Sequence, residues 1–233
     1  MRLDSGYLLL VVPALILSLI AQLAVKSAYK KYGKIANSRG LTGAMAAQMV
    51  LNYYGINDVR INHIGGNLTD HFNPSTKEIN LSDGVYDKCS IAAVGIAAHE
   101  AGHAAQHAQD YAPIKFRNSL IPICNIGSRF GFYIAIFGAA LAFRLDSPIL
   151  MMVAYAGVAL YAFAFIFHLV TLPVEFNASM RALSVIEESG LLMGEELSGA
   201  RKMLTAAAMT YVAAMIASLA NLLRLLMIVN RKK

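Results

Sequence analysis

The sequence predicts an α-helical integral membrane protein with about four transmembrane helices and one small α+β segment inserted between the first two. Three observations carry that expectation. The 233-residue chain is 57% hydrophobic and only 15% charged, with a mean hydropathy of +0.53, which is too apolar for an ordinary soluble domain. Four stretches, Tyr7–Val25, Ile121–Phe143, Ile149–Leu172 and Thr205–Val229, approach the roughly 20 apolar residues that cross a bilayer. The segment 26–119, by contrast, is polar and punctuated by glycine, asparagine and proline.

The elements follow in chain order. Residues 1–25 read as a retained N-terminal anchor, because the apolar run is longer than a signal-peptide core and no small-x-small cleavage pattern follows. Within 26–119, Leu41–Tyr54 carries apolar residues at helical intervals and stops at Gly55. Three short strands follow, Val59–Ile64, Leu68–Phe72 and Lys77–Ser82. They are delimited by the turn-forming runs Gly65-Gly66-Asn67 and Asn73-Pro74-Ser75. Ser90–Gln109 reads as a helix capped by Ser90 and ending before Pro113. Residues 120–172 form a transmembrane hairpin whose first arm holds Asn125, Ser128 and Arg129 near its start. Residues 173–204 form a helical segment, and 205–233 form a last span, containing Asn221 and Arg224, with a basic tail. Arginines near span ends reach the interface by snorkelling.

Charge says where the segments stand. The net charge is +6, but the basic residues cluster beside the spans instead of alternating with aromatics along a stripe. That excludes a nucleic-acid partner and favours anionic lipid headgroups. Lys26, Lys30, Lys31, Lys34, Arg39, Lys115, Arg117, Arg181, Arg201 and Lys202 share one side, and Arg2, Arg144, Arg231, Lys232 and Lys233 the other. The positive-inside rule therefore puts the polar segment in the cytoplasm of a multi-pass cell-membrane protein. Cys89 and Cys124, the only cysteines, supply neither a disulfide framework nor a cysteine zinc motif.

The chemistry concentrates in His99-Glu100-Ala101-Gly102-His103, an HExxH pentad inside the expected helix. Histidines four apart share a helix face and can reach one Zn²⁺, while Glu100, one step round, points towards a water that the metal activates. With six His and seven Glu, chance alone would produce such a pentad in roughly one chain in two hundred. The helix cannot finish its own site, because Gln106 and Gln109 stand where the extended HExxHxxGxxH pattern needs glycine and histidine. His107 lies two turns from His99 and reads as a surface residue. Glu175, following Pro173 at the exit of the third span, is the expected third ligand, since the hairpin returns it to the level of the zinc helix.

The chain resembles the YugP-like neutral zinc metallopeptidases and, more distantly, the HtpX-like membrane proteases. The residues that carry the resemblance are Asp70-His71-Phe72-Asn73-Pro74, Ile79-Asn80-Leu81-Ser82, Ser90 through Gly95, His99 through His107, and Leu172-Pro173-Val174-Glu175-Phe176-Asn177-Ala178-Ser179. The resemblance implies a gluzincin-like domain in which Glu175 completes the zinc site, and a strand, here Lys77–Ser82, that pairs with an extended peptide substrate. HtpX-like proteins carry an acid where this chain has Ser179, so Asn177 or Ser179 is expected to orient a zinc-bound histidine instead. From position, Arg181, six residues after Glu175 and roughly on its face, is the expected group for stabilising the developing oxyanion. His168 is the second candidate, with hydrogen bonding inside the membrane its expected role, because Pro173 is expected to interrupt the helix between it and Glu175.

The resulting expectation is a zinc metalloendopeptidase with one Zn²⁺ per chain, held by His99, His103 and Glu175. Glu100 is the general base, and the substrates are membrane-associated peptides or proteins. Two alternatives stand beside it. One is a site-2-type intramembrane protease, whose Asn-Pro and Leu-Asp-Gly pattern the later spans lack. The other is a non-catalytic zinc-binding scaffold, which would have no use for Glu100.

Overall fold

The computed structural model describes residues 6–231. Two of the helices begin or continue through π-helical turns. Tyr7–Val11 leads into α1 (Val12–Tyr32), and Gly127–Gly131 joins α4 (Ala112–Ile126) to α5 (Phe132–Leu145). The remaining elements are α2 (Gly43–Tyr53), β1 (Arg60–Ile64), β2 (His71–Asn73), β3 (Glu78–Ser82), α3 (Ile91–Ala108), α6 (Pro148–Glu188) and α7 (Glu195–Val229). Among the described residues, four helical stretches are long and apolar enough to cross a membrane: Tyr7–Tyr32, Ala112–Leu145, Pro148–Glu188 and Glu195–Val229. The protein is thus mostly helical, with four long apolar helices and a small sheet, and α3 is not one of the four. Of the basic residues that set the expected orientation, Arg2, Lys232 and Lys233 lie outside the described residues.

The chain divides into two compact units. One holds the helix segment up to Ile20, Lys115–Leu172 and the chain from Thr210. Its helices approach closely because small residues face one another. A Cβ on Gly157 would lie 2.4 Å from the Ala135 backbone nitrogen, so only glycine permits that crossing. Ala135, Ala139, Ala154, Val158, Leu225 and Val229 are buried around it.

The other unit comprises Ala21–Ile114 and Pro173–Met209. Thr42 caps α2 by accepting from the Met45 N–H, and the buried residues Gly43, Ala46, Ala47, Val50 and Leu51 recur at helical spacing. The sheet order is β1-β3-β2, with β1 parallel and β2 antiparallel to β3. On β3, Ile79 and Leu81 are fully buried, as period-two alternation requires. Ser90 caps α3 by accepting from the Ala93 N–H at 3.1 Å. Residues from Ile91 to Gln106 on α3 are buried nearly all round, which explains why, apart from His99, Glu100, His103 and Gln106, they are all small or apolar.

Three expectations need correction. β3 has a partner on each side, so both rows of its backbone groups are used and it cannot pair with a substrate; the edges of the sheet are β1 and β2. The middle strand begins at His71 and not at Leu68, because Leu68 adopts φ 55° and Asp70 turns aside to accept from the Ser82 N–H and hydroxyl. Pro173 does not interrupt its helix, since α6 runs through it for 41 residues. Proline's fixed φ is already helical and only one backbone hydrogen bond is forfeited, while the following turn is anchored from α3.

Candidate metal centre

The capped, fully packed α3 presents His99 and His103 on one face, their ring centroids 4.7 Å apart. Glu175 of α6 meets them. Its Oε2 lies 3.4 Å from His99 Nε2 and 3.5 Å from His103 Nε2, and the carboxylate is 4% exposed. All three donor atoms fall within 4.8 Å of one another. Ligands on a tetrahedron with zinc bonds of about 2.0–2.1 Å sit about 3.3–3.4 Å apart, so the oxygen-to-nitrogen spacings suit that ion better than they suit hydrogen bonds. Two imidazoles and one carboxylate also form the His₂Glu donor set that suits zinc and leaves a fourth position for chemistry.

Close approach of the two helices makes this possible. A Cβ on Gly102 would fall 2.6 Å from the Ala178 carbonyl oxygen, so the second variable residue of the pentad must be glycine for α6 to lie this near. Ala178 is three residues beyond Glu175 and faces the same helix.

Each remaining group around the cluster has a defined partner. Glu100 Oε2 accepts from the Phe72 N–H at 3.0 Å, tying its carboxylate to β2. Ser179 Oγ is 3.1 Å from His99 Nδ1, and Gln106 Oε1 is 3.0 Å from His103 Nδ1. Burial opposes a charge on His103, yet the adjacent Glu175 and Glu100 carboxylates outweigh it and hold the imidazole above its ordinary pKa.

Of the expected residues, the structure brings His99, His103 and Glu175 together and sets Glu100 beside β2. Ser179 stands against His99, and Asn177 is two hydrogen bonds removed from the cluster, through Gln106. Arg181 is engaged with Asn177 and Gln109. His107 is exposed, its ring edge against Phe72. His168 belongs to the other unit, where it lines a cavity of about 220 Å³ with Cys124, Asn125 and Ser128. Sequence reading missed two partners. The role of Gln106 was legible in principle, three residues past His103 on one face, whereas the contact of Phe72 is made by backbone and leaves no residue signal.

The family described as "Putative neutral zinc metallopeptidase" matches residues 7–230 of this chain. The "Putative membrane protease YugP" of Bacillus subtilis (strain 168) is 40% identical over 224 residues, spanning 95% of this chain and 96% of that protein. No solved structure matches.

Proposed function

We propose, from the premise that this chain belongs to the neutral zinc metallopeptidase family, that it is a membrane-embedded endopeptidase cutting peptide bonds of membrane or membrane-associated proteins. The observation that carries the reading is the convergence of Glu175, from a different helix, on the two histidines of the pentad at 3.4 and 3.5 Å. His99, His103 and Glu175 would hold the zinc, which when bound supplies Lewis acidity and activates a water for attack.

The chain's own residues do the rest. Glu100 takes the proton released as water attacks the peptide carbonyl, then delivers it to the amine nitrogen as the C–N bond breaks. With Oε2 occupied by the Phe72 N–H, the carboxylate is oriented and its other oxygen is the one that carries the proton. β2, an edge strand joined directly to Glu100, takes the place of β3 as the strand beside the reaction. The lysine and arginine distribution supports a cytoplasmic catalytic side, and the basic clusters beside the spans support contact with anionic lipid. A buried glutamate beside the metal centre favours catalysis over a scaffold, which needs no base.

The test compares zinc content and peptidase activity in detergent-purified wild type, Glu175→Ala and Glu100→Gln. Wild type should carry about one zinc per chain and Glu175→Ala clearly less. Glu100→Gln should keep the metal and lose cleavage by several orders of magnitude. Full activity in Glu100→Gln, or full zinc in Glu175→Ala, would refute the proposal.

A further inference from the structure

We infer that Gln106 is the positioning residue of the metal centre. It selects the nitrogen that His103 offers and ties the Glu175 turn of α6 to α3, and Asn177 and Arg181 hold Gln106 in that orientation. The inference rests on the zinc-peptidase reading above and deepens it.

Gln106 is fully buried, and a buried amide is costly unless its polar atoms are satisfied. Its Nε2 donates to the Val174 carbonyl at 2.7 Å and to Asn177 Oδ1 at 3.0 Å, and its Oε1 faces His103 Nδ1 at 3.0 Å. Oxygen and nitrogen of an amide side chain are distinguished only by their partners, and here the partners leave no choice. Val174 contributes a backbone carbonyl, which can only accept. Asn177 Oδ1 also accepts from Arg181 Nε at 2.7 Å, and a guanidinium can only donate. The network is therefore anchored at both ends by groups of fixed polarity.

One tautomer follows. Gln106 Oε1 must accept, so His103 Nδ1 carries the hydrogen, and in the neutral ring that a metal would bind Nε2 carries the lone pair, on the Glu175 side of the cluster. The same amide grips Val174, the residue before Glu175, so one side chain sets both the imidazole and the carboxylate. Arg181 is fastened by Gln109 and lies 5.8 and 5.9 Å from the Tyr54 and Tyr111 ring centroids, which keeps Asn177 in place. His99 is held differently. Its Nδ1 meets the Ser179 hydroxyl, which can donate or accept and so imposes no tautomer. The His103 side is consequently pre-set and the His99 side adaptable.

The test titrates metal-stripped, full-length protein in detergent with Co²⁺ against a competing chelator, and records the visible Co²⁺ spectrum and the melting of the metal-free protein. Gln106→Leu should weaken Co²⁺ binding 10–100-fold and alter the spectrum, and Ser179→Ala should do less. Wild-type affinity and spectrum in Gln106→Leu, or a larger loss in Ser179→Ala, would overturn the inference. Should Gln106→Leu fail to fold, Asn177→Ser, which keeps Gln106 but removes one anchor, should weaken binding several-fold, and unchanged affinity there would overturn it equally. Failure of the inference alone would show as tight binding in Gln106→Leu alongside loss in Glu175→Ala. Failure of the underlying reading would show as no binding in wild type or none lost in Glu175→Ala, and would overturn both.

Discussion

Adding one methyl group at Gly102 should uncouple the metal centre while leaving the fold in place. The new Cβ would stand 2.6 Å from the Ala178 carbonyl oxygen and 3.3 Å from its carbon, both backbone atoms. Ordinary contact begins near 3.4 Å, so α6 must retreat by roughly 0.8 Å, because close-packed interiors do not absorb such a clash locally. That retreat would carry Glu175 Oε2 from 3.4 Å to roughly 4 Å from His99 Nε2, beyond the ligand spacing of about 3.3–3.4 Å that zinc requires.

Two opposing terms act on stability. Alanine favours a helix interior over glycine by about 1 kcal/mol, whereas overpacking costs about 1–3 kcal/mol. Gly102→Ala should therefore be nearly neutral to about 2 kcal/mol destabilised while zinc affinity falls tenfold or more. Gly95→Ala is the internal control on the same helix. Its Cβ would meet only Ala200 atoms at 3.6 and 3.8 Å, an ordinary contact, so it should keep zinc and gain stability from helix propensity. The assay is chelator-competition zinc binding with thermal unfolding in detergent for both variants. Wild-type zinc affinity in Gly102→Ala, or equal losses in the two, would refute the packing argument.

Two further outcomes follow. His103 has a raised pKa in the metal-free fold, so its contribution to stability is fully present below the unfolded value of about 6.5 and is lost as pH rises through the folded value. The stability difference between metal-free wild type and His103→Gln should accordingly shrink from pH 6 upward, and a difference that grows with pH would contradict the assignment. Ser90→Ala removes the buried cap of α3 and should cost about 1 kcal/mol. It should lower the melting temperature of the detergent-solubilised protein without releasing zinc, and an unchanged melting temperature would show that the cap contributes nothing.

Features that depend on local chemistry are legible in the residues themselves. The four spans follow from apolar length, the end of α2 from Gly55 and the start of α3 from Ser90, and the His99–His103 pair from helical period. Glu175 was legible too, because a hairpin of spans must return to the side it left. What sequence could not supply depends on groups with no local signature. β3 is the central strand because β1 and β2, both earlier in the chain, pair with its opposite edges, an arrangement made by tertiary packing. Helix α6 continues through Pro173, and the Gln106 side chain, distant in sequence, bonds the Val174 carbonyl just beyond it. The bond from Glu100 to Phe72 and the Val174 end of the Gln106 network use backbone atoms, which every residue carries and no side chain announces. The sequence alone determined which residues could bind a metal and which segments are long and apolar enough to cross a membrane. Only the tertiary structure decided how closely two helices lie, because that distance is set by what faces Gly102 across the interface, 76 residues along the chain at Ala178.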